Sequence, residues 1–191
     1  MKKQGSALSF KLMALSFKLR DLLLPRMKIL EEVGIEPGFS VLDYGVGPGS
    51  YVIPTSRLVG EKGKVYALDI NPLAIERVQR IIEKKGLTNV ETIHSDCKTD
   101  LPDESIDVIL LYDTFHEIDN PTELLAELYR VLKPNGILSF SDHHMREKEI
   151  LSQLTSGGLF QLSKKGERTY SFSKVKRKNR NSSLAGIGTR A

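Results

Sequence analysis

The sequence predicts an α/β fold, in which a mostly parallel, doubly wound sheet of seven strands ends in an antiparallel hairpin. Short apolar runs alternate with helical patterns between residues 41 and 141, which is typical of parallel strands joined by helices. Beyond residue 158, two strand-like runs are separated by a short polar turn, which indicates a hairpin at one edge of the sheet. The chain has 191 residues, 40% of them hydrophobic, which is enough for one domain with its own core.

The first predicted strand leads directly into a glycine-rich loop. In the run Val41-Leu42-Asp43-Tyr44-Gly45-Val46-Gly47-Pro48-Gly49, apolar residues are followed by an acid and three alternate glycines. Glycine accepts positive φ and lets a ligand approach the backbone without a Cβ in the way. A helix is predicted over residues 50–58, and its free N–H groups would face such a ligand. The stretch is a candidate nucleotide site, although this glycine pattern also occurs in dinucleotide enzymes.

The following elements alternate strand and helix. Asn71 caps the second helix, which Gly86 ends, and Asn120 begins a later helix with a capping box. That helix is predicted to run to Leu132 and to be separated from the fifth strand by Pro134, Asn135 and Gly136. Strands are predicted at residues 40–43, 64–70, 90–95, 106–112, 137–141, 159–162 and 169–175, with further helices at 27–33 and 147–155.

The two ends of the chain are basic, whereas the segment between them is acidic. Residues 1–28 and 174–191 each carry a net charge of +6, and residues 29–173 carry −8, within a total of +4. Overall basicity is therefore weak evidence for nucleic-acid binding. Residues 7–19 contain a seven-residue repeat that predicts an amphipathic helix packed on the domain. A substrate lid, a dimer contact and a membrane-surface helix remain alternatives for it.

These patterns divide the chain into three parts. An N-terminal helical cover spans residues 1–35, the main domain spans 36–175, and the polar tail 176–191 is predicted to be disordered. No apolar run approaches the ~18 residues that cross a bilayer, and no signal-peptide cleavage site is evident. The single cysteine, Cys97, excludes an internal disulfide and a multi-cysteine metal site. A cytoplasmic protein is expected.

Acidic residues stand at the ends of four predicted strands. In open parallel sheets, ligands bind beyond the carboxyl ends of the strands. Asp69 lies 20 positions after Gly49, where an acid can accept hydrogen bonds from both ribose hydroxyls. Any one of these acids could instead be a helix cap or a solvated carboxylate, but four at one edge indicate a binding site. They are Asp43, Asp69, Asp96 and Asp113.

Residues 38–145 resemble the class I S-adenosylmethionine-dependent methyltransferases, and most closely the small-molecule branch that includes quinone-biosynthesis C-methyltransferases. The glycine run resembles that family's glycine motif, and residues 65–70 resemble its ribose-binding strand. Residues 95–107 resemble its adenine-binding stretch, and residues 128–138 resemble its connection from a helix to the fifth strand. The resemblance implies a Rossmann-like fold, S-adenosylmethionine as methyl donor and S-adenosylhomocysteine as product.

The resemblance also implies which residues hold the donor. Asp43 and the glycines would bind its methionine end, Asp69 its ribose, and Asp96 with Cys97 its adenine, while Asp113 would lie near its amino group. S-adenosylmethionine is a net cation, which suits an acidic domain. The candidate cofactor-binding residues are Asp43, Tyr44, Gly45, Gly47, Gly49, Asp69, Ile70, Asp96, Cys97 and Asp113.

The acceptor side is marked mainly by histidines. His116 follows strand four and is the candidate catalytic residue, as a base or as a group that orients the acceptor; a surface or capping histidine is the alternative. Glu117, His143 and His144 are further acceptor-side candidates. With Asp142 they could form a metal site, but adjacent loop histidines are usually solvated, and no metal is expected. A base is needed only if the acceptor must lose a proton.

The sequence therefore predicts an enzyme that methylates a small molecule by in-line displacement, chiefly by aligning the reactants. An RNA or protein methyltransferase, an NAD-dependent oxidoreductase and a cofactor-binding subunit without its own activity remain alternatives. The expected partner is the small-molecule acceptor, and a homodimer through the predicted N-terminal helix is an alternative use of that helix. Nucleic acid is not expected as a partner, because no aromatic-rich RNA-binding module is visible.

Overall fold

The computed structural model describes Leu12 and residues 26–176. In these residues, a seven-stranded sheet is packed with five α-helices and one short 3₁₀ helix. The seven-residue repeat, most of the predicted N-terminal cover and nearly all of the basic tail lie outside the described residues. The strands are β1 (Ser40–Tyr44), β2 (Lys64–Asp69), β3 (Val90–His94), β4 (Ile106–Tyr112), β5 (Leu132–Ser141), β6 (Phe160–Lys165) and β7 (Tyr170–Lys174). The helices are α1 (Arg26–Glu31), α2 (Val52–Val59), α3 (Pro72–Lys85), the 3₁₀ helix Phe115–Glu117, α4 (Pro121–Val131) and α5 (Glu147–Thr155).

The strand order is β3-β2-β1-β4-β5-β7-β6. The first five strands run parallel, and β7 pairs antiparallel with both β5 and β6. This confirms the predicted parallel sheet with its reversed C-terminal hairpin. The strands after β1 are added on one side of it, as β2 and then β3, whereas β4 and the strands after it lie on the other side. The strand order therefore reverses direction between the neighbours β1 and β4. A crevice therefore opens beyond their carboxyl ends, where ligands bind in such sheets.

Hydrophobic cores lie on both faces of the sheet. Alternate residues of a strand point to opposite faces, and in β1 Leu42 belongs to one core while Val41 belongs to the other. The first core is completed by α4 and α5, and the second by α1, α2 and α3. The residues of β1 and β4 in these cores are almost fully buried. The central strands are therefore covered on both sides, as their continuous apolar runs predict.

The helix signals predicted at Asn71 and Gly86 are confirmed, and the one predicted at Asn120 is confirmed in part. The Asn71 side chain accepts a hydrogen bond from the Leu73 N–H at 3.0 Å, and Gly86 ends α3 with a φ of 62°. At the start of α4, the Asn120 side chain accepts a hydrogen bond from the Glu123 N–H at 3.3 Å, as predicted. The Glu123 carboxylate accepts from the Asn120 side-chain amide at 3.0 Å and not from its backbone N–H, so only half of the predicted capping box is formed. These signals are local in sequence, so they do not depend on the rest of the fold.

The predicted separation between α4 and the fifth strand was wrong. The helix ends at Val131, and β5 starts immediately at Leu132, which pairs with Ile106. The pairing then shifts register before Val108 meets Ile137, so Pro134–Gly136 lies in a bulge, where a missing N–H costs nothing. A Cβ on Gly136 would lie 2.9 Å from the Asp107 carbonyl oxygen, which explains the glycine. In the hairpin, Lys164 and Lys165 belong to β6 and not to the predicted turn.

Candidate active site

The three glycines after β1 serve three different contacts. Gly45 has a φ of 75°, and a Cβ there would overlap the Thr114 side chain, which follows β4. A Cβ on Gly49 would lie 3.0 Å from the Ile81 side chain of α3. A Cβ on Gly47 would meet nothing closer than 3.9 Å. Gly45 and Gly49 thus allow close packing inside the protein, whereas Gly47 leaves open space that a ligand can enter.

Asp43 is a buried carboxyl group at the carboxyl end of β1. Its residue is 3% exposed, and its Oδ2 atom has no hydrogen-bond partner among the described residues. Burial, followed by the negative charge of Asp69, raises the pKa of Asp43 to about 7. Buried polar atoms normally have partners, so an unpartnered carboxylate oxygen indicates a ligand contact. A cationic ligand would supply the missing charge.

Asp69 connects the end of β2 to the glycine loop. Its carboxylate accepts hydrogen bonds from the N–H groups of Gly47 and Asn71, each at 2.8 Å. Burial raises the pKa of Asp69, while these two backbone hydrogen bonds oppose the rise. The next residue, Ile70, is half-buried, and its carbonyl oxygen lies 2.9 Å from Nε2 of His94. Each carboxylate oxygen of Asp69 retains acceptor capacity that the two amides do not use.

The side chain of Tyr44 lies in the hydrophobic core, unlike the other predicted cofactor residues. Its side chain is buried in the core beside α4, and burial is the main reason that its pKa is raised. The Tyr44 hydroxyl donates a hydrogen bond to the backbone carbonyl of Asp96 at 2.8 Å. The side chain therefore supports the segment after β3. In that segment Asp96 is exposed and Cys97 is half-buried, and burial raises the pKa of the Cys97 thiol.

Asp113 follows β4 and pairs with a histidine that follows β5. It has a φ of 52°, which is unusual for a residue other than glycine. Its N–H donates to the carbonyl of Ser141 at 2.7 Å. Its Oδ1 accepts hydrogen bonds from the N–H of His143 at 3.2 Å and from Nδ1 of the same residue at 2.7 Å. The predicted position at the edge of the crevice is correct, and the pairing with His143 is new.

His116 is held by the buried carboxylate of Asp142. Nδ1 of His116 lies 2.8 Å from Oδ2 of Asp142, which also accepts the His116 N–H at 3.2 Å. The side chain of Asp142 is fully buried, whereas that of His116 is 25% exposed. A carboxylate only accepts hydrogen bonds, so Nδ1 carries the proton and Nε2 is left as the basic atom. Asp142 ends β5 as the other acids end their strands, a signal that the sequence contained.

The three histidines lie together at the ends of β4 and β5. Ring centroids are 4.2 Å apart for His116 and His144, and 3.9 Å apart for His143 and His144. The rings lie against one another at a tilt of 42°.

Among the described residues, no group of three or more His, Cys, Asp or Glu side chains is arranged to hold a metal ion. Nor does any helix in the described part of the chain have the length and apolarity needed to cross a membrane.

Comparisons with known proteins agree with this geometry. A family model described as a methyltransferase domain matches residues 35–181. The ubiquinone/menaquinone biosynthesis C-methyltransferase UbiE of Marinomonas sp. (strain MWYL1) is 30% identical over 135 residues, which are 70% of this chain and 54% of that protein. A demethylmenaquinone methyltransferase of Geobacillus stearothermophilus is 28% identical over 113 residues, covering 59% of this chain and 48% of that protein. The chain thus spans about half the length of these relatives.

Solved structures show the same architecture. A SAM-dependent methyltransferase from Aquifex aeolicus has a TM-score of 0.76 and 29% identity, covering 91% of this chain and all of that one. Coclaurine N-methyltransferase, solved with N-methylheliamine and SAH, has a TM-score of 0.53 and 25% identity, covering 59% of this chain and 33% of that one. The chain belongs to the methyltransferase-domain family, and its motif resemblance to class I S-adenosylmethionine-dependent methyltransferases is confirmed.

Proposed function

We propose that the chain transfers a methyl group from S-adenosylmethionine to a small-molecule acceptor. The observation that carries the proposal is the buried Asp43 carboxyl group, whose unpartnered oxygen lies at the β1 end of the crevice. S-adenosylmethionine supplies a methyl group on a positively charged sulfur, and its ammonium group adds a second cation. Desolvated carboxylates favour such charges strongly. Two similar proteins are named as a ubiquinone/menaquinone biosynthesis C-methyltransferase and a demethylmenaquinone methyltransferase.

The residues at the carboxyl ends of β1 to β3 fit this donor. Gly47 leaves room for backbone approach, and the Asp69 carboxylate, already bonded to Gly47, retains acceptor capacity for two ribose hydroxyls. We assign Asp43 and Gly47 to direct contact with the methionine end, and Gly45 and Gly49 to the close packing that shapes the loop around it. Asp69 with Ile70 is assigned to the ribose. Asp96 and Cys97 are assigned to the adenine, Tyr44 to their support, and Asp113 to the neighbourhood of the amino group.

His116 is the proposed base on the acceptor side. Asp142 holds Nδ1 and the backbone N–H of His116, which leaves Nε2 to accept a proton from an acceptor hydroxyl or activated carbon. His116 follows β4, which neighbours β1 in the sheet, so its loop borders the same crevice as the proposed donor site. A base belongs at this edge, because the acceptor and the donor methyl react in contact.

Calorimetry with S-adenosylhomocysteine and with NAD tests the donor assignment on the full chain. We expect S-adenosylhomocysteine alone to bind, and Asp69→Ala to weaken that binding at least tenfold, because two ribose hydroxyls lose their acceptor. Binding of NAD, or an unchanged affinity in Asp69→Ala, would contradict the assignment. Transfer of labelled methyl to a panel of small quinols and phenols then tests the acceptor class.

Other results would support the alternative functions. RNA binding that falls steeply with salt would favour an RNA methyltransferase, and donor binding without turnover until a second protein is added would favour a non-catalytic subunit.

We also propose a cytoplasmic location, which accords with the single cysteine. Dimerisation through the predicted N-terminal helix is a further proposal, supported by the apolar spacing of its sequence and tested by the sedimentation of a chain lacking residues 1–25.

A further inference from the structure

The loop of residues 96–101 connects β3 to the segment before β4 and contains the proposed adenine contacts. It has no regular secondary structure, and Asp100 adopts a φ of 54°. At its start the Asp96 carbonyl accepts the Tyr44 hydroxyl bond at 2.8 Å. Thr99, in its middle, is 2% exposed. A buried residue in an irregular loop needs partners for its polar groups from outside the loop.

Glu127 of α4 supplies those partners. Its Oε1 accepts a hydrogen bond from the Thr99 N–H at 2.9 Å and another from the Thr99 hydroxyl at 2.6 Å. The side chain of Glu127 is 13% exposed. A carboxylate with this geometry forms charge-assisted hydrogen bonds, which are the strong ones. One side chain on α4 therefore satisfies both donors of the buried loop residue.

Arg130, one helical turn later, holds Glu127 and the end of the loop. Its Nε and one terminal nitrogen donate to the two oxygens of Glu127 at 2.8 and 2.7 Å. The other terminal nitrogen donates to the Leu101 carbonyl at 2.8 Å and to Asp103 at 2.7 Å. The bonds from Arg130, and then those from Thr99, lower the pKa of Glu127 to about 2 against the effect of burial. The pair is therefore ionised at neutral pH.

We infer that Glu127 and Arg130 are positioning residues that preset the 96–101 loop for the adenine of the donor. The inference deepens the proposed function and rests on it. Without the pair, the loop would have to be ordered when the ligand binds, and fixing even one backbone residue costs roughly tenfold in affinity. Preorganisation by α4 removes that cost.

An apolar stripe of α4, beside the Glu127 position, docks the helix on the sheet. Four apolar residues of α4 are buried in the core against the sheet. Their exposed fractions are 6% or less, so the helix has a hydrophobic attachment that is independent of the ion pair. They are Leu124, Leu125, Leu128 and Val131. Loss of Glu127 should therefore affect the loop more than the fold.

Two ligands separate the positioning role from a general structural role. S-adenosylhomocysteine contains the adenine, whereas S-ribosylhomocysteine keeps the ribose and the amino acid but lacks the base. In Glu127→Ala, we expect the dissociation constant of S-adenosylhomocysteine to rise about tenfold, while that of S-ribosylhomocysteine changes less than twofold. Hydrogen exchange of the amides of residues 97–101 should become faster in the free variant and should slow again with S-adenosylhomocysteine.

Two further variants complete the experiment. Glu76→Ala removes an exposed helical Glu–Arg pair on α3 and should leave both affinities and the loop exchange unchanged. Thr99→Val removes the hydroxyl that donates to Glu127 and accepts a hydrogen bond from the Leu101 N–H at 3.2 Å, but keeps the backbone bond to Glu127. It therefore tests the support of the loop even if Glu127→Ala does not fold, with an expected loss of about threefold for S-adenosylhomocysteine. Equal losses for both ligands, or unchanged loop exchange, would overturn the inference. Failure of the unaltered protein to bind S-adenosylhomocysteine would instead refute the proposed function.

Discussion

Replacing Asp43 with asparagine should stabilise the ligand-free protein while weakening donor binding. The pKa of Asp43 is raised from 3.8 to about 7 by burial and by Asp69. Between these two pH values the native state holds a proton that the unfolded state has released, so stability is lost as the pH rises. The loss amounts to about 1.4 kcal/mol for each pH unit, or roughly 4 kcal/mol above pH 7. Asparagine does not titrate and avoids this loss.

Urea unfolding of the ligand-free protein at pH 5 and pH 8 measures the effect. Across this interval the free energy of unfolding of the wild-type protein should fall by about 3 kcal/mol relative to Asp43→Asn. From pH 5 to about pH 7 the folded protein keeps a proton that the unfolded chain has lost, and each of these two pH units costs about 1.4 kcal/mol. Other groups titrate in both proteins, so most of their contributions cancel in the difference. Glu76→Gln, at an exposed position on α3, is the control and should follow the wild-type profile within about 0.5 kcal/mol.

The same ionisation should appear in donor binding. A cationic ligand requires the ionised form of Asp43, so the wild-type affinity for S-adenosylmethionine should rise about tenfold from pH 6 to pH 8. Asp43→Asn should bind more weakly, and this part of the pH dependence should be absent. Parallel unfolding profiles of the two proteins between pH 5 and pH 8 would refute the reasoning, because Asp43 would then not be a buried carboxyl group with a raised pKa.

Three other predictions concern the glycine loop, the proposed base and the support of the 96–101 loop. Gly47→Ala should cost only about 1 to 2 kcal/mol of stability, because of its positive φ, yet weaken S-adenosylhomocysteine binding more than tenfold by calorimetry, because its Cβ enters the open space. Gly60→Ala, with a φ of 65° and no neighbour within 4 Å, is the control for backbone strain, and equal losses of affinity in both variants would argue against a ligand at Gly47. His116→Asn should lower the methyl-transfer rate about 100-fold and leave S-adenosylhomocysteine affinity within twofold, and a rate that does not change would remove His116 as the base. Tyr44→Phe should lower the free energy of unfolding by about 1 kcal/mol in urea, and no loss would show that its bond to Asp96 is unimportant.

Some of the site could be predicted because parallel strands bring distant residues to one edge. Asp43 and Asp69 each end a strand in the sequence, and the parallel pairing of β1 and β2 places both at the carboxyl edge. The glycine loop was predictable for the same reason, since its residues adjoin the end of β1. The distinct roles of Gly45, Gly47 and Gly49 were not, because they depend on neighbours from other elements.

The sequence alone determined the order and type of the elements, since hydrophobic periodicity and helix caps act over a few residues. It therefore predicted β4 and α5 with their observed bounds. Only the tertiary structure decided which side chains support the site. Asp142 lies 26 residues from His116, and Thr99 lies 28 residues from Glu127. Contacts over such separations arise from the packing of helices and loops on a finished sheet, and no local pattern encodes their geometry.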